Sequence, residues 1–481
     1  MAAGPLVDAQ QIQGNIIRPF RGQHQAFLFV SFRQNRAGAR AWLGAVADRV
    51  AGTEDVPQGR KLNGGHGPSV LMNVGITASG LVLLHPETAA DLAQYEAFRE
   101  GPLGLRLDDT GHFTTTAALL GDVDASDPRK WVIGGPGGPP VDALLTLAAD
   151  DQRALDKAVL RETREAGNAG LKILPVTGGG RSGEQRGEII RNEKDRPVEH
   201  FGFADGISQP AIKGFHDPER VRAGSPVIAA GEFLLGFVGE RRPQSARPRT
   251  TPAPWMHGGS FQVFRRLRQD VSGWWERMAE LGKPEEEAAR ALGRHLDGRP
   301  LAPDADRDKP NEFDYAADPD GAHTPLHAHI RKVNPRDDNV FRDRSRKMLR
   351  RGIPFGPRFD RRKPDDRERG LIFNAYVADI EVQYEFVQRR WANNPMFPGD
   401  TLKQYDRISA DRVDGLDPIL GDDAQAAGRR LQPEVFQQIK KDAFGGFVTT
   451  TGAVYAFAPS LPALRLLAGA ETLESGLVAA R

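Results

Sequence analysis

The apolar positions along the chain fall into two successions with one rhythm. "QAFLFVSF" (25–32) alternates as a strand does, and "ARAWLGAVADRV" then repeats its apolar residues at helical spacing. "SVLMNVGI" (69–76) is again strand-like, and "TASGLVLL" reads as a short helix behind a threonine cap. "VDALLTLAADD" predicts a strand, and "QRALDKAVLRETREAG" a helix ending at glycine. The second succession answers the first. "SFQVFRRL" (260–267) predicts a strand, "DVSGWWERMAELG" a capped helix, and "GLIFNAYVADI" (370–380) a strand running into the helical "EVQYEFVQRRWA". "GGFVTTTGAVYAFAP" (445–459) predicts a hairpin and "SLPALRLLA" a closing helix. Strand, helix, strand twice over, with helices on one face, implies an α+β chain of ferredoxin-like type.

Two long irregular stretches interrupt the second succession, "GERRPQSARPRTTPAPW" (239–255) and the run from 296 to 325. Loops of this length inside a folded unit are usually functional or disordered. The second leads directly into the densest histidine cluster of the chain.

Composition narrows the chemistry. The 481 residues allow one to three domains, and 53 glycines with 35 prolines imply much turn and loop. Lys and Arg number 65 against 64 Asp and Glu, a balance that argues against nucleic acid or a membrane surface held by bulk charge. The absence of cysteine removes disulfides, zinc–thiolate sites, iron–sulfur clusters and thiol nucleophiles. The start "MAAGPLVDAQQIQGN" shows no basic region, apolar run or twin arginine, and no segment approaches the roughly 18 apolar residues of a membrane span. A cytoplasmic protein is the expectation.

Four segments could carry chemistry. "HFGFADGISQP" (200–210) sets Asp205 among Gly202, Ala204 and Gly206. It is either an ordinary surface turn or a carboxylate held in a pocket. "GAHTPLHAHIRKVNPR" (321–336) holds His323, His327 and His329, which read as solvated imidazoles, as a zinc site, or as one metal ligand. In the last case Arg331, Lys332 and Arg336 stand where they could hold anionic groups of a cofactor. "RKMLRRGIPFGPRF" (346–359) carries Arg350 and Arg351, and in "GLIFNAY" Leu371 and Phe373 alternate on a strand.

Taken in order, these segments resemble the dye-decolorising-type haem peroxidases, of the longer subgroup found in fungi and bacteria. The family's G-x-x-D-G hallmark is matched by "GFADG" (202–206), its AHIRK-x-NPR segment by "AHIRKVNPR", and its RRGIP by "RRGIPFG". "QGNIIRPF", "GLDPILG" (415–421) and the C-terminal "GGFVTTTGAVYAFAPS" are also family-like, so the resemblance runs from residue 11 to about 465. It implies two ferredoxin-like domains of dimeric α/β-barrel type with antiparallel sheets, 1–215 and 216–481, with one haem b per chain held mainly in the second. His329 becomes the proximal ligand of the iron and Asp417 the carboxylate partner of its imidazole. Asp205 and Arg350 come to lie over the distal face, Leu371 and Phe373 line the distal pocket, and Arg336 binds a haem propionate. Some relatives carry Cys-Pro shortly before the proximal histidine; "HTP" (323–325) stands here, which makes His323 and His327 rival ligands.

The implied activity is reduction of hydrogen peroxide with oxidation of bulky dyes and phenolics, and the oligomeric state, a homodimer included, is left open. Arg350 would supply a fixed positive charge as the O–O bond breaks, and Asp205 would shuttle the proton. Aspartate has a reference pKa of about 3.9 against about 6.5 for histidine, so a carboxylate base predicts activity in mild acid. Tyr376, Tyr384, Trp391 and Trp255 are, by type alone, candidates for carrying electrons to bulky substrates, with core packing as the alternative. One rival reading is a haem-binding or iron-releasing protein without peroxidase turnover. A second, outside haem chemistry, is a loop-rich interaction protein, which predicts a colourless preparation. The purified protein is expected to absorb strongly in the Soret region; a colourless chain that takes up no added haem would exclude both haem readings.

Overall fold

The paired rhythm becomes paired sheets. The first succession forms β1 (His24–Ser31), helix α1 (Arg36–Ala47), β2 (Leu71–Ile76), β3 (Ala143–Ala149), helix α2 (Gln152–Asn168) and β4 (Lys172–Leu174). The second forms β5 (Ser260–Gln269), helix α3 (Val271–Leu281), the short β6 (Leu349–Arg350) and β7 (Ile353–Phe355), β8 (Gly370–Val377) and β9 (Val448–Ala458). Side-chain caps are present at three helix starts, two of them expected. Asp151 Oδ1 accepts from Ala154 N, Thr77 Oγ1 from Gly80 N, and Asp270 Oδ1 from Gly273 N. The computed structural model of the protein describes residues 8–57, 69–108, 110–177, 180, 182–241, 249–303, 305–306, 309–336, 344–395, 397, 415–421 and 445–469. Residues 242–248 of the arginine-rich stretch lie outside them.

Both half-sheets are antiparallel and share one strand order. In the first, β4, β1, β3 and β2 lie side by side; in the second, β6, β8, β5 and β9 do so, with β7 also on β8. Numbering the strands of each half by chain order, both read 4-1-3-2, the ferredoxin-like arrangement. A single pairing, Phe457 with Ile76, joins β9 to β2 and makes one continuous sheet.

Strand alternation then decides what each face meets. Ala26, Leu28 and Val30 of β1 join a cluster with Trp42, Leu43 and Val46 of α1. Phe27 and Phe29 point the other way and meet Phe264 of β5, at ring centroids 5.3 and 5.1 Å. The inner faces of the two half-sheets therefore share one core, as in an α/β barrel.

Two expectations need correction. Residues 445–459 form no hairpin: β9 runs unbroken through Gly452 and pairs with β5 along its length. The register shifts between Arg266 and Leu267, so the extra residue is absorbed as a bulge rather than a turn. A Cβ at Gly452 would meet Ile133 Cγ2 at 2.5 Å, so close packing is the reason for this glycine. "EVQYEFVQRRWA" is helical but wound as π-helix over Glu381–Glu385 and Val387–Ala392. Glu385 N bonds to Ile380 O and Asn393 N to Gln388 O, five residues back. Among the described residues, no helix is long and apolar enough to cross a membrane.

Phe264 is fully buried where the two inner faces meet. Phe264→Ala is expected to cost about 3–5 kcal/mol, read as a lower urea midpoint of the cofactor-free protein. An unchanged midpoint would mean that the halves do not stabilise each other through this core.

Candidate active site

The histidine segment is placed by its own loop. Asp318 accepts from the backbone N–H of His323 (3.1 Å) and Thr324 (2.7 Å), and Arg331 Nη1 donates to Thr324 O (2.8 Å). Lys332, fully buried, donates from Nζ to the carbonyls of Asn394, Phe397 and Gly415 at 2.8, 2.6 and 2.8 Å. Arg331 and Lys332 thus turn inward onto backbone, and of the three cations expected to hold a cofactor only Arg336 reaches the cavity. The chain enters helix α4 (His329–Val333), and His329 is its first residue. His329, Ile330 and Val333 line one side of a cavity of about 210 Å³. Neither His323 nor His327 lines it: His323 is exposed, and His327 sits against Gly415. Among the described residues no three His, Asp or Glu side chains converge as a metal cage, so the zinc reading has no site there.

His329 Nδ1 lies 2.8 Å from Asp417 Oδ2. Asp417 is fully buried, and its Oδ1 accepts from Ile419 N (2.8 Å) and Leu420 N (3.0 Å). Burial alone would raise its carboxyl pKa. The His329 imidazole and the two N–H donors outweigh that and hold it below the usual carboxylate value. With Nδ1 engaged, Nε2 is the nitrogen left to the cavity.

The facing wall is the outer face of the second half-sheet, with Arg265 and Leu267 of β5, Phe373 of β8, and Val448 and Thr450 of β9. Leu371 shares a strand face with Phe373, as alternation predicts, but does not itself line the cavity. The π-helical turn adds Tyr384, Val387 and Gln388, a consequence of its wider winding that helical periodicity in the sequence does not show. Tyr376, Tyr384, Trp391 and Trp255 are all buried, so none is a surface electron carrier.

Arg350 is exposed, and what it faces is the cavity. The protein around it lowers its pKa by desolvation, while the charge of Asp205 pulls it back up. Gln209 donates to Arg350 O (3.0 Å) and accepts from Arg350 N (3.2 Å), which fastens "HFGFADGISQP" to β6. Arg350 Nη2 also donates to Ser208 O. Asp205 is exposed, its Oδ1 accepts from Gly206 N at 2.6 Å, and it does not line the cavity. Gly202 and Gly206 have φ of 100° and 71°, which explains both glycines. Nothing lies within 4 Å of a Cβ built at Gly206, so backbone conformation rather than crowding requires it.

Sequence reasoning missed Arg294, which sits in "ALGRHLDGRP" with no flanking signal. It lines the cavity beside Arg336, and both guanidinium groups reach the Oδ1 of buried Asn311, at 3.3 and 2.6 Å. Burial and then repulsion by Arg336 push Arg294 down to about 10. Arg336 also donates to the carbonyls of Asn311 and Phe313. Among the described residues the lining holds six basic side chains, Arg265, Arg294, Arg336, Arg346, Lys347 and Arg350, against one carboxylate, Asp122. Such a cavity suits a ligand that carries negative charge. An imidazole backed by a carboxylate on one wall, apolar side chains on both, and an excess of cations form the donor set that a haem with two carboxylates requires.

Comparison with known proteins gives the family. Residues 234–411 match the family model described as Dyp-type peroxidase, C-terminal. The chain is 30% identical over 491 residues to the multifunctional dye peroxidase of an Amycolatopsis species, covering 95% of each protein. It is 28% identical to a dye-decolorizing peroxidase of Mycetinis scorodonius, covering 94% of this chain and 86% of that one. The solved structure of a dye-decolorizing peroxidase variant from Auricularia auricula-judae is similar at a TM-score of 0.74 with 25% identity, over 96% of this chain and all of that one. A match that spans both proteins nearly end to end carries the conclusion: this chain belongs to the dye-decolorizing peroxidase family of haem enzymes.

Proposed function

We propose that the protein binds one haem b per chain in this cavity and reduces hydrogen peroxide at the expense of bulky dyes and phenolics, with His329 as the iron ligand. The observation that carries the site assignment is the His329–Asp417 pair, with the ring's other nitrogen left to a cavity rich in basic side chains. Haem, when bound, supplies the iron at which peroxide is reduced and from which oxidising equivalents are drawn. The chain's own residues do the rest. Asp417 orients the imidazole and raises its basicity through Nδ1. Arg336 and Arg294 form the pair that meets the propionates. Phe373 and Leu267 supply apolar surface on the sheet wall of the pocket, and Leu371 stands behind them on the same strand face as Phe373.

On the other wall Arg350 provides a positive charge that no accessible pH removes, placed for the negative charge of a departing hydroxide. Asp205 accepts and returns the peroxide proton. Its carboxylate is held by Gly206 N and stands off the cavity, which supports transfer through an intervening water rather than by direct contact. The rival reading, a haem carrier without turnover, leaves the Asp205–Arg350 arrangement without a purpose.

His329→Ala is expected to lose the Soret band or bind haem weakly; an unchanged band would transfer the ligand role to another group. Asp205→Asn should slow the reaction of the haem-loaded protein with peroxide by roughly 100-fold or more, and a stopped-flow rate equal to that of the parent would remove Asp205 from the mechanism. Asp417 adds a pH signature. Its folded carboxyl lies below its unfolded value, so its stabilising contribution is complete above the unfolded pKa of about 3.9 and is lost as pH falls through the folded one. The unfolding midpoint of the cofactor-free protein should fall more steeply below pH 4 in the parent than in Asp417→Asn.

A further inference from the structure

The turn that carries Asp205 is governed by a side chain just outside the motif. Residues 197–205 form a small hairpin: Asp205 N bonds to Pro197 O (3.1 Å), Glu199 N to Phe203 O (3.1 Å), and Gly202 N to Glu199 O (2.9 Å). The Glu199 carboxylate fills the inside of this turn. Oε2 accepts from Phe201 N at 2.9 Å and Oε1 from Phe203 N at 3.0 Å. Gln269, at the end of β5, donates its Nε2 to the same Oε2 at 2.8 Å. One carboxylate therefore holds two consecutive odd positions of the loop and ties them to the strand that lines the cavity. Phe201 and Phe203 pack against α3, with Phe201 stacked on Trp274 at 4.7 Å. The next odd position is Asp205.

We propose that Glu199 is a positioning residue for Asp205: by gripping Phe201 and Phe203 and anchoring them to Gln269, it sets where the Asp205 carboxylate stands relative to Arg350. The inference rests on the reading of Asp205 as the group that moves the peroxide proton. A carboxylate suits the task because it offers acceptors on both oxygens, whereas a glutamine offers one and turns a donor toward an N–H. The groups that face Glu199 are the amide of Gln269 from β5 and, along its own loop, the charge of Asp205. Burial chiefly, and Asp205 in small part, push Glu199 up to about 7.

The test is a double-mutant cycle on the haem-loaded protein, with hydrogen exchange on the protein without cofactor. Glu199→Gln should speed exchange at the amides of Phe201, Phe203 and Asp205 while leaving β1 and β3 unchanged, which separates a local effect from failure to fold. It should slow the reaction with peroxide by roughly 10-fold with haem affinity and the KM for the dye unchanged. Combined with Asp205→Asn it should add nothing further to the loss, because both act through one carboxylate. Glu199→Asp should recover part of the rate, and Gln269→Leu should act in the same direction as Glu199→Gln if that variant does not fold. If Asp205→Asn is slow but Glu199→Gln matches the parent, or the two losses multiply, the positioning role is wrong and the Asp205 reading stands. If Asp205→Asn itself matches the parent, both fall.

Discussion

The arrangement of this protein depends on a buried carboxylate meeting an imidazole across 88 residues of sequence. A lone carboxylate with no exposure costs several kcal/mol to bury. Asp417 tolerates that position because three donors converge on it, His329 Nδ1 and the N–H groups of Ile419 and Leu420. In turn it fixes the ring at the start of α4, and the inward-facing Lys332 fastens the same helix to Asn394, Phe397 and Gly415. Without these anchors, a five-residue helix at the end of a long loop would have no reason to hold one orientation.

The second constraint is the two-sided use of one sheet. Its inner faces merge around Phe264, so they cannot host a ligand. The cavity is left to an outer face. In the first half, α1 packs its apolar residues onto that face. In the second half, α3 packs with Phe201 and Phe203 of the Asp205 turn. The same contact that keeps α3 occupied there carries a loop from the first half of the chain to the edge of a cavity in the second.

Much of this was legible in the sequence. Alternation at 25–32 and 260–267 and helical spacing at 36–47 depend only on near neighbours in the chain, and the structure follows them closely. Where the reading went astray, the cause lay in distant contacts. Gly452 looks like a turn residue, but Ile133 leaves room only for glycine inside a continuous strand. Arg331 and Lys332 look like cofactor ligands beside a histidine, but α4 turns them onto backbone carbonyls. Arg294 carries no local signal; its meaning lies in sharing Asn311 with Arg336. Glu199 stands one residue before the quoted motif, and only its bonds to Phe201, Phe203 and Gln269 give it a role.

By itself the sequence determined the paired ferredoxin-like rhythm and the absence of thiol chemistry, because residue type and local periodicity are properties of short segments; the set of Asp205, His329, Arg350 and Asp417 came from its resemblance to a family. Only the tertiary structure decided which histidine faces the cavity, which arginines gather there, and that Asp205 stands back from it. Those outcomes follow from burial, charge pairing and φ angles at particular places, which side chains far apart in the chain settle together.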